Sequence, residues 1–230
     1  MSRTFTMEEL KKISEGFENK SPQDIIKWVA ESFDRDDFAL ACSFAELTLI
    51  DMLVRVKKDA RIFYLDTGYL FKETRELVKK AEERYGIKVE RFAPLIPKEE
   101  MDKKYGPELY KRDPDKCCGI LKVEPLKRAL SGLKCWITGL RRCESPARAN
   151  APIIGWDDKY NLVKVNPIAR WTDKEAWDYI LANNVPYNEL LDKGYPSIGC
   201  EPCTSPVEPG EDPRSGRWAG FNKTECGLHK

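Results

Sequence analysis

Eight cysteines and one histidine, His229, bound the chemistry open to this 230-residue chain. Cys117-Cys118 and Cys200-Glu201-Pro202-Cys203 form two pairs. A CxxC places two sulfurs where one metal centre holds both, and four thiolates suit either tetrahedral zinc or a 4Fe–4S cluster. A structural zinc knuckle is the plainer reading, and spacing alone leaves zinc and cluster open. A vicinal disulfide at Cys117-Cys118 is disfavoured in a reducing compartment. Cys42 and Cys135 fall in predicted strands, where a cysteine packs as a small hydrophobe, and Cys143 has no partner spacing. With one histidine, acid–base catalysis or a metal site built on several histidines is excluded.

Cys226 stands apart, in Lys223-Thr224-Glu225-Cys226-Gly227-Leu228-His229 close to the end of the chain. A structural cysteine gains little there. A nucleophile on a mobile tail, by contrast, enters a site and then leaves it to meet a second reactant. The thiolate is the reactive species, and its pKa of roughly 8.5 falls beside cations. Lys223, His229 and Lys230 are the local candidates for that help.

Three segments point to an anionic substrate. Ser43-Phe44-Ala45-Glu46 lies between a predicted strand and a predicted helix, where backbone N–H groups at a helix N-terminus bind anions. Leu65-Asp66-Thr67-Gly68 follows the next strand, at the same sheet edge if the sheet is parallel. Thr138-Gly139-Leu140-Arg141-Arg142-Cys143-Glu144-Ser145-Pro146-Ala147-Arg148 sets three arginines against one glutamate, and Arg214 and Arg217 precede Cys226. Arginine forks match phosphate and sulfate oxygens in bidentate geometry. A solvated charged loop is the plain alternative for any one of these clusters; several of them ahead of a candidate nucleophile favour the anion.

The elements that must position these residues alternate. Ser21-Pro22-Gln23-Asp24 reads as an N-cap, a proline at the first helical position and an acid in the first turn, so a helix runs to about Ser32. Strands are predicted at Phe38–Cys42, Arg61–Leu65, Ile87–Phe92, Cys135–Thr138 and Leu162–Asn166. Helices are predicted at Thr48–Val56, from the turn at Gly68 to about Tyr85, at Cys117–Leu130 and at Thr172–Asn183. Strands alternating with helices of this length indicate βαβ units, hence a mainly parallel sheet with helices on both faces. From Pro196 the chain is rich in proline and glycine, and residues 204–230 read as a surface tail or lid after an α/β domain at residues 1–203.

Composition agrees with one ordinary globular domain: 41% hydrophobic, 33% charged, and 39 Lys+Arg against 38 Asp+Glu. Net charge near +1 gives no support to a nucleic-acid binder. No apolar run approaches the roughly 18 residues that span a bilayer, and the first dozen residues lack the apolar block of a secretory signal. No membrane association and a cytoplasmic location are the expectations.

Taken together, these motifs resemble the assimilatory adenylyl-sulfate reductase family, of the phosphoadenylyl-sulfate reductase superfamily, from about Phe38 to the end. Ser43-Phe44-Ala45-Glu46 stands where the family has its modified pyrophosphate loop, though here it is shorter and less glycine-rich than in many members. Leu65-Asp66-Thr67-Gly68 and Thr138-Gly139 with Arg141, Arg142 and Ser145 match further family motifs. Cys117-Cys118 with Cys200 and Cys203 matches its cluster motif, and Glu225-Cys226-Gly227-Leu228-His229 its catalytic tail. The resemblance implies a Rossmann-like, adenine-nucleotide α-hydrolase-like fold and a 4Fe–4S cluster rather than zinc. It also implies thioredoxin as reductant and the conversion of adenylyl sulfate to sulfite and AMP, in sulfate assimilation and cysteine biosynthesis. Cys226 would attack sulfur and carry an S-sulfocysteine, with His229 and Lys122 assisting and Arg148, Arg214 and Arg217 joining the substrate site. The alternatives are a reductase of 3′-phosphoadenylyl sulfate or of both nucleotides, a PP-loop sulfur-transfer enzyme acting on tRNA, and a cluster-bearing sensor. A homo-oligomer stays open.

Overall fold

The computed structural model describes residues 2–229. Strands β1 (Phe38–Ala41), β2 (Arg61–Leu65), β3 (Glu90–Phe92), β4 (Cys135–Thr138), β5 (Ile154–Asp157) and β6 (Leu162–Val165) form one sheet in the order β3-β2-β1-β4-β6-β5. Every pairing is parallel except β5 with β6. Alternate residues of each strand belong to opposite apolar faces. Phe38, Leu40, Ile62, Cys135, Ile137, Val163 and Val165 join one core, while Ala39, Phe63, Trp136 and Leu162 join the other. A sheet apolar on both sides must be covered on both, which is why its strands read as continuous hydrophobic runs.

The covering helices follow from their patterns. On the first face lie α1 (Met7–Phe17), α2 (Pro22–Ser32), α3 (Thr48–Val56), α4 (Lys72–Tyr85) and, later in the chain, α9 (Asp173–Ala182), which bury Leu10, Ile26, Leu53, Leu77 and Ile180. Ser21 caps α2 as predicted, with a reciprocal bond to Asp24, and Thr172 with Glu175 caps α9 in the same way. Between β3 and β4 run the short helices α5 (Lys98–Tyr105), α6 (Leu109–Arg112) and α7 (Pro114–Cys118), then a π-helical segment Gly119–Val123 and α8 (Glu124–Leu130). Leu126, Ala129 and Leu130 of α8 cover the second face.

Several differences from the sequence reading have physical causes. The helix predicted over Cys117–Leu130 is broken by the π segment, where the Glu124 N–H bonds back to Gly119 across a wider turn. The edge strand β5 escapes notice because Gly155 and Asp157 interrupt its apolar alternation, and α1 because its polar surface face masks a buried stripe with few members. Residues 204–229 carry no helix or strand, as expected, yet they are not a loose surface tail: Arg217, Trp218 and Glu225 are buried. Among the described residues, no helix is long and apolar enough to cross a membrane.

Candidate active site

The sheet order reverses between β1 and β4, and ligands of open parallel sheets bind at such a switch point, beyond the carboxyl ends of the strands. A cleft of about 530 Å³ opens there, a size that suits a nucleotide. Ser43 and Glu46 line it from the loop after β1, Leu65 and Thr67 from the end of β2, and Thr138, Gly139 and Arg141 from the end of β4. Phe44, Asp66 and Gly68 shape these loops instead. Phe44 is fully buried at a φ of 57°, its ring edge-on to Tyr64. Asp66 accepts the Gly68 N–H at 3.0 Å and pairs with Arg91 at 2.6 Å, while Gly68 turns at a φ of 76°, which costs glycine little. The half-buried Glu46 carboxyl group accepts the Thr48 N–H at the start of α3. Burial pushes its pKa up, against that hydrogen bond and the charge of Arg141. An anionic ligand at this helix end would therefore compete with the Glu46 side chain for the Thr48 N–H.

Cys117, Cys118, Cys200 and Cys203 line a second, adjoining cavity walled by Tyr69, Tyr110 and Leu121. The Thr67 hydroxyl lies 3.3 Å from the Cys200 sulfur, and the Glu201 N–H donates to the Tyr69 carbonyl, which ties the CxxC to the end of β2. All eight cysteines are free thiols. Burial, reinforced by the neighbouring thiols, pushes Cys117 up to about 12 and Cys203 up to about 11. Among the described residues no three His, Cys, Asp or Glu side chains close on one point as a single ion requires. Four sulfurs facing one chamber are a donor set that a thiolate-held metal group would use.

Lys122, Cys200 and Trp218 line both cavities and so form their common wall. Lys122 is 8% exposed, carried by the π segment. Burial opposes its charge, but the thiols of Cys200, Cys226 and Cys118 outweigh it and hold the ammonium above the ordinary lysine range.

The arginines divide. Arg141 and Arg148 line the cleft, with Arg214 and Arg217 from the tail. Arg142, expected there, turns away: its guanidinium forms two hydrogen bonds to Glu18 and one to the Ala151 carbonyl, tying this loop to the end of α1. Arg141 pairs with Asp173 at 2.7 Å. Arg148 pairs with Glu144 and Glu225, and Ser145 also bonds Glu225. Arg217 is 9% exposed, presses on the Trp218 ring, and has a buried Nε without a hydrogen-bond partner among the described residues. Burial, then Arg214, depress its pKa. No carboxylate within ion-pair distance answers Lys122 or Arg217 among the described residues.

Cys226 sits in the same cleft. The tail around it is docked: Lys223 pairs with Asp115, Lys159 donates to the Gly227 carbonyl at 2.7 Å, Leu228 packs on the second core, and the His229 ring lies 5.5 Å from Trp136. His229 is not the cationic neighbour the sequence suggested. Burial, with Lys164 and Arg148 adding, pushes it down to about 3, so it is neutral. Lys230 lies outside the described residues.

Residues 38–206 match the family described as the phosphoadenosine phosphosulfate reductase domain. The chain belongs to this reductase family. Proteins named adenosine 5′-phosphosulfate reductase are similar throughout: that of Rhodococcus erythropolis is 44% identical, over 97% of this chain and 96% of the relative, and that of a Geobacillus strain is 44% identical, over 99% and 97%. Phosphoadenylyl-sulfate reductase from Candida auris, solved with phosphate, superposes with a TM-score of 0.78 at 30% identity, covering 90% of this chain and all of that one. Candida glabrata FMN adenylyltransferase, at 13% identity and a TM-score of 0.57 over 88% of this chain and 76% of its own, shares the fold alone.

Within this family fold, sequence reasoning missed several residues that shape the site. A Cβ on Gly199 would lie 2.1 Å from the Arg217 guanidinium, so this glycine is what lets the buried arginine pass. Its place directly before Cys200 was the available signal. Trp218 walls both cavities, and the Trp136 ring lies tilted against the tail histidine. Glu225 was noticed only as part of a motif.

Proposed function

We propose that this protein reduces adenylyl sulfate to sulfite and AMP with thioredoxin as the electron source, through an S-sulfocysteine at Cys226. The observation that carries the reading is the meeting of Cys226 with two buried cations, Lys122 and Arg217, that have no carboxylate partner among the described residues. Buried charge is costly unless paired, so these two fit the sulfate and phosphate of a bound nucleotide. The Cys226 thiolate attacks the sulfate sulfur. A sulfur–sulfur bond forms, the bond from sulfur to the bridging oxygen breaks, and its electron pair leaves with AMP, whose phosphate Arg217, Arg214 and Arg148 stabilise. Thioredoxin's thiolate then attacks the Cys226 sulfur and expels sulfite. Its second thiol resolves the mixed disulfide and returns Cys226 as thiolate. His229 orders the tail as a neutral ring.

Cys117, Cys118, Cys200 and Cys203 are the residues that would hold a 4Fe–4S cluster. When bound it supplies fixed negative charge beside the Lys122 ammonium, with no electron transfer asked of it. Residues 1–203 then serve as the nucleotide and cluster domain and 204–230 as the catalytic tail. Reduced thiols throughout the chain suit a cytoplasmic setting. The Glu46 side chain already takes the Thr48 N–H at the start of α3, which argues against a pyrophosphate there, and so against PP-loop chemistry on tRNA.

Adenylyl sulfate added without thioredoxin should leave one SO3 group on the Cys226 peptide, and thioredoxin should remove it as sulfite. Cys226→Ser should do neither. An adduct on Cys143, or turnover by Cys226→Ser, overturns the assignment. Competing adenylyl sulfate with its 3′-phosphate in one sulfite-release assay decides between the nucleotides.

A further inference from the structure

The residue before the nucleophile is the most tightly held group of the tail. Glu225 is 5% exposed. Its carboxylate takes two hydrogen bonds of 2.7 Å from the Arg148 fork, one of 3.2 Å from the Ser145 hydroxyl and one of 3.3 Å from Arg214. Burial would raise its pKa, yet Arg148 and Arg214 hold it below the usual carboxylate range. A bidentate, charge-assisted pair is both strong and geometrically restrictive. Its neighbour in the chain therefore has little freedom while the pair is made. Arg148 and Arg214 also line the cleft, so the same guanidinium groups face the position of the substrate anion.

We propose that Glu225 is a positioning residue: its carboxylate clamps the tail to Arg148 and Arg214, which fixes Cys226 in the cleft, and it shares those arginines with the substrate's anionic group. The inference rests on Cys226 as the nucleophile. Glu225 stands at Arg148 where a substrate oxyanion would bind. When substrate binds, part of the fork turns to the nucleotide, and the carboxylate keeps the remainder. Once the tail carries an SO3 group, a second anion stands one residue from Glu225. It competes for the same forks and repels the carboxylate, which loosens the clamp as the sulfur must become accessible to thioredoxin.

Glu225→Gln keeps the shape and removes the charge. Loss of a charge-assisted bidentate pair should slow single-turnover SO3 transfer to Cys226 by about tenfold or more. AMP should bind as tightly as before or more tightly, because Arg148 is released to it. Glu225→Asp, which keeps the charge on a shorter arm, should recover part of the rate. Tryptic cleavage after Lys223 should be faster in Glu225→Gln than in the unmodified protein, and faster in the S-sulfonated wild type than in the unmodified wild type. A transfer rate in Glu225→Gln within twofold of wild type, with the adduct on Cys226, overturns the inference and leaves the proposed function standing. Rate and AMP affinity falling together in both variants would make Glu225 merely structural and also overturn it. No adduct on Cys226 in the wild type sinks the proposed function instead, while the cleavage of unmodified Glu225→Gln still reports on the clamp.

Discussion

Lowering the pH from 7.5 to 5.5 should weaken the docking of the tail, and His229 sets the size of the effect. In the docked tail burial pushes this ring down to about 3, Lys164, Arg148 and Arg214 push the same way, and Glu225 opposes them. Undocked, the ring returns to about 6.5. The docked state thus excludes a proton that the free tail accepts. Its stabilisation is complete above about pH 6.5 and is lost as the pH falls below that value, by about 1.4 kcal/mol per unit. Docking should weaken by roughly tenfold at pH 5.5 and roughly a hundredfold at pH 4.5. Glu225 adds to the loss only below its own free value of 4.5, because its docked pKa is depressed and its contribution disappears as it protonates. The window between pH 6.5 and 5 therefore belongs to His229. Hydrogen exchange of residues 223–229, normalised to the intrinsic rate at each pH, measures the docking. His229→Asn, which cannot take up the proton, should flatten the dependence in that window. Protection that does not change between pH 7.5 and 5.5 in the wild type, or the same loss in His229→Asn, refutes the argument.

Three further outcomes separate the roles assigned to neighbouring residues. Arg142→Ala should leave AMP affinity unchanged and lower stability by no more than about 1 kcal/mol, since its pair with Glu18 is partly exposed and screened; a loss of nucleotide binding would place it in the site after all. Gly199→Ala should displace the Arg217 guanidinium and weaken AMP binding about as much as Arg217→Ala does, and calorimetric titration of both variants compares them. Protein purified without oxygen should carry about four irons per chain as a cubane cluster requires, and Cys200→Ala should lose them; stoichiometric zinc with no iron would reverse the metal assignment.

The sheet was legible in the sequence because burial on both faces writes strands as short continuous apolar runs, and β1, β2, β4 and β6 fall within a residue of where the pattern puts them. Of the elements that escaped, α5, α6 and β5 are short and carry charged or glycine residues that blur any period, and α1 buries too few residues to show one. The loops after β1, β2 and β4 were legible as site loops for a topological reason: parallel strands bring their carboxyl ends to one edge, whatever the details. Which charge in those loops does chemistry was not legible. Arg141 and Arg142 are adjacent and look alike, but one enters the cleft and the other meets Glu18, 124 residues away. Arg148 meets Glu225 at a separation of 77. A net charge of +1 says only that cations and anions nearly balance over the whole chain. The functional information lies in the cations that folding leaves without a carboxylate, and among the described residues of this cleft those are Lys122 and Arg217. They flank the one cysteine that the tail brings in, so the uncompensated charge and the nucleophile converge on the same small volume. Neither local pattern nor composition encodes that convergence, because it depends on where the tail's carboxylate goes: had Glu225 settled on Arg217 instead of Arg148, the same sequence motifs would surround a site whose uncompensated cation beside the nucleophile was Lys122 alone.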